Sequence, residues 1–305
     1  MRYPWAILAA DIHVRDDVPE ARTDDYITEE AECLAFIAGL QEKFGGIPVL
    51  VAGDIFDYWK GSPELLRWAI ERISNWIAIP GQHDLPQHNL KLYEKSSLGV
   101  LEAARKVTVI RDKDAPLSYA TRNGSVFDVW GFPWGSMAEP LIKANNTRSV
   151  ALIHTMAYKG KPPFPGAKGA ANRILNKMTG FDLIVTGDNH EPFVIKHKGR
   201  VMVNPGSMMR MTAAQIEHRP RVYLWYGEEN DVEPLYLPAK KGVVSREHID
   251  REKERDERVD AFVTRLNQEI EVGLSFRRNM TEFLAKNDIS QPIQNIIWEA
   301  VDGER

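Results

Sequence analysis

Cysteine is nearly absent: Cys33 is the only one in 305 residues, so the chain cannot close a disulfide on itself. A chain of this length instead has room for one large α/β domain plus an appendage, held by an apolar core. Cys33 shares a helical pattern with Phe36, Ile37 and Leu40, which suits a small core residue rather than a nucleophile. A large excess of one charge is missing too. The formal net charge of −4 gives no global positive field for nucleic acid, although a local basic groove fits inside an acidic chain. Long apolar runs are lacking, so no membrane span is expected. The short run from Trp5 to Ala10 also lacks the basic flank and cleavage site of a signal peptide. There is no internal repeat and no low-complexity tract. The expectation is a protein of the reducing cytoplasm.

What is present is alternation. Apolar runs rich in Val and Ile alternate with helical patterns through the first two-thirds, the signature of strands crossing over through helices onto a largely parallel sheet. Strands are expected at Trp5 to Ala10, Ile47 to Ala52, Trp76 to Ile79, Val107 to Ile110, Val126 to Trp130, Val150 to Ile153 and Leu183 to Thr186. A hairpin of Phe193 to Lys196 and Val201 to Val203 turns at Lys198-Gly199, and Val222 to Trp225 joins the same sheet system. Gly45-Gly46 stops the first helix. Ser62-Pro63 reads as an N-cap with proline at the first helical position, and Leu66, Ala69, Ile70 and Ile73 mark the buried face. Core packing is the better use of that helix, and a homodimer contact the alternative.

Composition changes after about Gly242, where a charge-dense stretch from Arg246 to Arg258 begins. This divides the chain into a domain over 1–242, whose part from about 192 is β-rich and closing, and a C-terminal helical module over 243–305. In the module, Val259, Phe262, Val263, Leu266 and Ile270 form one amphipathic stripe. Ile293, Ile296, Ile297, Ala300 and Val301 form another, across the loop-like Asn287 to Pro292. Such stripes either pack on their own chain or dock a partner.

The chemistry-bearing residues sit where strands end. Asp11-Ile12-His13 follows the first strand, Gly53-Asp54 with Asp57 the second, Gly81-Gln82-His83-Asp84 the third, His154 a later one and Gly187-Asp188-Asn189-His190 the next. Parallel strand ends lie side by side at one edge of a sheet, so these distant residues are expected to converge. The Asp-Ile-His alternation puts both polar side chains on one face. A lone Asp or His after a strand is more often a cap or a hydrogen-bonded surface group, but five such sites in order are not explained that way. Convergence without a cation would leave buried charges uncompensated.

This order of motifs, from Asp11 to about Ser207, resembles the calcineurin-like metallophosphoesterase superfamily. The resemblance implies a four-layer α-β-β-α sandwich with a C-terminal helical appendage. It also implies that Asp11, His13 and His190 bind one divalent ion, Asp54 bridges, and Gln82, His154 and Asp188 bind a second. His83 and the adjacent Asp84 are the implied catalytic groups, and Asp57 supports the ligand loop rather than binding metal. Two ions ~3.5–4 Å apart would lower the pKa of a shared water toward ~7 for attack on phosphorus. Two positions depart from the pattern: Gln82 replaces the usual Asn, and Asp188 the usual first His of Gly-His-x-His. A longer amide facing a shorter carboxylate suggests mutual compensation, and the added oxygen favours Mn2+, then Mg2+, over Zn2+.

The overall plan is most similar to the SbcD-type nuclease subunit in its compact phage and bacterial form, which implies DNA as substrate and an SMC-like coiled-coil ATPase bound by the C-terminal helices. Substrate contacts are expected from Lys159 and Lys161, in a basic loop with Phe164, and from Asn204 and Arg210. A small-molecule phosphodiesterase and a non-catalytic binding protein with a crippled second site are the alternatives.

Overall fold

Strands buried on both faces must be short and apolar, and the first three have that character. The structure, a computed structural model, describes residues 2–111, 115–121, 124–142, 147–269 and 276–302. β1 (Ala6–Ala9), β2 (Val49–Val51) and β3 (Trp76–Ala78) are buried at every position. Between them run α1 (Tyr26–Lys43) and α2 (Pro63–Arg72), and α3 (Ser97–Ala103) leads into β4 (Val107–Val109). These four strands are mutually parallel. β5 (Leu117–Ala120), β6 (Val126–Phe132), β7 (Arg148–His154), α4 (Ala171–Lys177), β8 (Leu183–Gly187), β9 (Phe193–His197) and β10 (Arg200–Asn204) follow. β11 (Arg221–Tyr226) and β12 (Asp231–Tyr236) then close the domain.

The strands form two six-stranded sheets, as a sandwich requires: β12-β11-β1-β2-β3-β4 and β5-β6-β7-β8-β10-β9. β11 therefore leaves the β9–β10 hairpin and pairs antiparallel with β1 in the other sheet. Alternation along each strand separates the layers. Ile7 and Ala9 face the helices, packing with Cys33, Leu34, Ile37 and Leu65. Leu8 and Leu50 face the second sheet, meeting Val129, Leu152 and Val185. Ala151 and Ile184 turn to the far side against Leu175 and Phe181. The result is a four-layer α-β-β-α sandwich.

Caps behave as their residues dictate. Ser62 Oγ accepts from Leu65 N at 3.1 Å, with Pro63 opening α2. Leu65, rather than Leu66, is the buried leucine of that helix, beside Ala69 and Ile73. β5 and β12 were not legible as strands. β5 is four residues with alternating partial exposure, and β12 carries Pro234, which a strand tolerates at a sheet edge, where β12 lies.

The chain divides into two units, Met1–Ser245 and Arg246–Arg305. The second holds α5 (Glu247–Glu269), α6 (Phe276–Lys286) and α7 (Gln291–Asp302). The side chains of Phe262, Val263 and Leu266, and all of Ile270, lie outside the described residues. α6 lies between the two apolar stripes expected from sequence and belongs to neither. Leu284 is buried, whereas Val259, Phe276, Ile293 and Ile296 are exposed. No helix among the described residues is long and apolar enough to cross a membrane.

Phe127 wedges the two sheets together, its ring 6.1 Å from that of Trp5 and 5.2 Å from that of Trp225. Phe127→Ala is expected to cost ~3–5 kcal/mol, read as a lower urea midpoint by circular dichroism. An unchanged midpoint would mean that the aromatic wedge does not hold the sheets.

Candidate active site

The loops after β1, β2, β3, β7 and β8 meet at one edge and are stitched to one another by backbone. Ile12 N and His13 N donate to Asp54 O at 2.9 and 3.1 Å, and Asp11 N donates to Gly53 O at 3.1 Å. Asp188 N donates to Asp11 Oδ1 at 2.9 Å, which ties a strand of the second sheet to the first. Asp11, His13, Asp54 and Asp188 all have left-handed backbone, with φ of 50°, 53°, 53° and 76°. Asp and His are among the few non-glycine types enriched there. Close approach also demands two glycines. A Cβ on Gly53 would lie 2.2 Å from His154 Nδ1, and one on Gly81 would lie 2.1 Å from Asp54 Oδ1.

The side chains then converge. Ligand atoms of Asp11, His13 and His190 lie within 4.8 Å of one another, and so do those of Asp11, Asp54 and His154. Asp54 Oδ2 is 3.3 Å from His154 Nε2 and 4.0 Å from His13 Nε2. His154 Nδ1 donates to Ala52 O at 2.7 Å, which turns Nε2 toward Asp54 and toward Gln82 Oε1, 2.6 Å away. His13 Nδ1 faces Asp57 Oδ1 at 3.2 Å, and Asp57 is held in turn by Arg15 at 3.1 Å. Asp57 thus supports His13, although with His83 it also completes a third group of ligand atoms within 4.8 Å.

The electrostatics carry the mark of a cation site. Asp11 Oδ2 and Asp54 Oδ2 are buried without a hydrogen bond, which is costly unless positive charge compensates. Burial, reinforced by nearby Asp54, raises the Asp11 carboxyl. Burial opposes ionisation of Asp54 as well, but His154 and His13 outweigh it and hold that carboxyl low. For His154 the desolvation is overcome by Asp54 and Asp11, which push its pKa up to about 10. His190 goes the other way: burial and the neighbouring His13 lower it to about 4, so it is neutral at ordinary pH, as a metal ligand must be. Both nitrogens of His154 face oxygen acceptors, so the ring either carries two protons or shares a lone pair with a cation. The donor set therefore fits divalent metal.

Not every residue singled out from sequence joins the cluster. His83 does: its N donates to Asp54 Oδ1 at 2.9 Å, and its exposed ring lies 4.9 Å edge-on from that of His13. Asp84 requires correction as a catalytic group. It is fully buried, and its oxygens accept from Ile55 N, Phe56 N and Gly81 N at 3.3, 3.0 and 3.0 Å, so it clamps two ligand loops rather than touching substrate. Asn204 and Arg210 are corrected likewise. Asn204 is buried in β10 and caps Gly206 N at 2.9 Å, while the buried Arg210 guanidinium donates to Lys240 O. Lys159 and Lys161 are exposed, and Lys159 Nζ lies 3.4 Å from Val194 O.

Reading from sequence missed Gln215. Its Nε2 lies 3.3 Å from His190 Nδ1 and donates to Ser207 Oγ at 2.8 Å, while its Oε1 accepts from Met211 N and Thr212 N. The available signal was Thr212-x-x-Gln215, the spacing of a capping box.

Asp84→Ala would strand three buried N–H donors, at ~1–3 kcal/mol each. The variant is expected to melt well below the parent and to lose metal uptake. Parental stability with turnover alone lost would restore Asp84 as a catalytic group.

Among solved structures, the chain is similar to an archaeal phosphodiesterase at 12% identity and a TM-score of 0.40, over 76% of this chain and 99% of that one. It is similar to a protein from Thermus thermophilus at 12% identity and 0.47, over 77% and 100%. A putative 5′-nucleotidase from Staphylococcus aureus aligns at 14% and 0.47, over 79% of this chain and 54% of that one. No curated protein matches the sequence. The profile of the calcineurin-like phosphoesterase superfamily domain matches residues 7–223, which span every strand that delivers a residue to the cluster. The chain belongs to the calcineurin-like phosphoesterase superfamily.

Proposed function

We propose that this chain is a metal-dependent phosphodiesterase acting on DNA, the SbcD-type nuclease subunit of a repair or recombination complex. The observation that carries the hydrolase is the pair of buried carboxylate oxygens, on Asp11 and Asp54, that lack hydrogen bonds beside the inward nitrogen of His154. Asp11, His13 and His190 would hold one ion, Asp54 would be shared, and Gln82, His154 and Asp188 surround the place of the second. Divalent ions bound there, Mn2+ or Mg2+ by the oxygen-rich donor set, would supply Lewis acidity and a water acidic enough to ionise near neutral pH.

The protein's own groups do the rest. His83 Nδ1 donates to Asp57 O at 2.6 Å, so proton exchange with a leaving oxygen takes place at Nε2 of this exposed ring. Asp57 keeps His13 oriented with Nε2 toward the cluster. The exposed Lys159, Lys161 and Phe164 supply charge and a stacking face suited to a phosphate backbone and its bases. The exposed Phe276, Ile293 and Ile296 suit docking of the C-terminal helices on a coiled-coil ATPase. A small-molecule diester is the second reading. It is favoured by the inward turn of Asn204 and Arg210, which removes two of the four expected substrate contacts.

Purified protein with Mn2+ is expected to degrade DNA, to stop on chelation and to resume when Mn2+ is returned. Turnover of bis-p-nitrophenyl phosphate with DNA left intact would select the second reading. His83→Ala is expected to keep Mn2+ uptake while losing ~10²–10⁴ in rate; lost uptake would make His83 structural.

A further inference from the structure

Gln82 and Asp188, the two departures from the superfamily pattern, touch each other. Gln82 Nε2 donates to Asp188 Oδ1 at 2.8 Å. At its other end Gln82 Oε1 lies 2.6 Å from His154 Nε2, the atom that faces Asp54 Oδ2 at 3.3 Å. Asp188 is itself seated by its backbone N–H on Asp11 Oδ1 at 2.9 Å.

An amide has two ends of nearly the same shape and opposite polarity, so its own shape does not decide which end meets a cation. An ionised carboxylate only accepts. Set against one end of the amide it takes the N–H, and the carbonyl oxygen is turned to the other end, toward His154 and Asp54. The same hydrogen bond occupies Asp188 Oδ1. An imidazole at this position could ligate a metal; the carboxylate here is engaged instead in aiming its neighbour.

We propose that Asp188 is a positioning residue rather than a metal ligand. It locks the Gln82 amide so that Oε1 is the donor to the second cation, whose protein donors are Asp54, Gln82 and His154. The proposal rests on the two-ion reading above. A site with three protein donors, two of them from oxygen-bearing side chains, keeps positions open for water and substrate and favours Mn2+ or Mg2+ over Zn2+. The two substitutions then form one unit, because each makes sense only with the other.

The test is Mn2+ titration of the full chain by calorimetry, with electron paramagnetic resonance reading the spin-coupled ion pair, for the parent, Gln82→Glu, Asp188→Asn and the double variant. The first ion, bound through Asp11, His13 and His190, is the internal control for folding. If Asp188 is a lock, Gln82→Glu sets carboxylate against carboxylate and weakens the second ion by about 10–100-fold. Asp188→Asn alone does less, because its carbonyl still accepts from Gln82. The double variant reverses the hydrogen bond, the new amide donating to the new carboxylate, and brings back both affinity and the coupled signal. If Gln82→Glu instead tightens the second ion, Asp188→Asn releases it and the double variant is the sum of the two, Asp188 is a ligand and the proposal is overturned. One Mn2+ per parent chain also overturns it while leaving the first site standing. No Mn2+ at all overturns the two-ion reading and the proposal with it.

Discussion

Asp54 is the joint on which the site depends. Its carbonyl accepts from Ile12 N and His13 N, its Oδ1 accepts from His83 N, and its Oδ2 faces His154 Nε2. One residue thus fixes the loops after β1, β3 and β7 to its own loop after β2, with both sheets engaged. Such density needs bare backbone around it, which Gly53 and Gly81 provide by leaving out the Cβ atoms that would strike His154 and Asp54 itself. Asp84 completes the joint from beneath, taking the amides of Ile55, Phe56 and Gly81 so that the loops after β2 and β3 cannot separate without stranding buried donors.

Much of this was legible because the signal was local and repeated. A polar residue at the end of a buried strand or in the loop that follows it is a short-range feature, and Asp11, Asp54, His83, His154 and His190 each carry it. Strand order in a parallel sheet then brings such positions to a common edge without any knowledge of side-chain contacts. The helix cap at Ser62 was legible for the same reason, since Oγ to the third amide onward is a contact within one turn. The supporting role of Asp57 was an implication of the resemblance, and its contact with His13 gives the direction of the imidazole.

The rest depended on partners far away in sequence. Arg210 was expected at the substrate from the resemblance, but its guanidinium finds Lys240 O and its own carbonyl accepts from Arg22, so it closes a loop instead. Asn204 was expected to contact substrate, yet it ends β10 and uses its oxygen to cap Gly206 N two residues on. Both errors share a cause: a polar residue near a site is either aimed into it or holding its wall, and only tertiary contacts distinguish the two. β12 was hidden by Pro234, because the rule against proline in strands is suspended at an edge. The division into two sheets came from the resemblance rather than from the strand pattern, because period-two burial reads alike on either sheet.

The left-handed backbone at Asp11, His13, Asp54 and Asp188 bears on how such a site stays ready. Each such residue outside glycine costs ~1–2 kcal/mol, and the orphaned carboxylate oxygens add to that cost. The cross-loop amides that end on Asp54 O and Asp11 Oδ1 offset it, and they do so with groups that must be hydrogen-bonded in any fold. The donors are therefore fixed by backbone accounting rather than by the ions they would hold, and binding cations need not reorganise the loops. A site arranged in this way has its donors and its uncompensated negative charge in place beforehand, so a divalent ion would meet a preorganised set of ligands rather than have to assemble one.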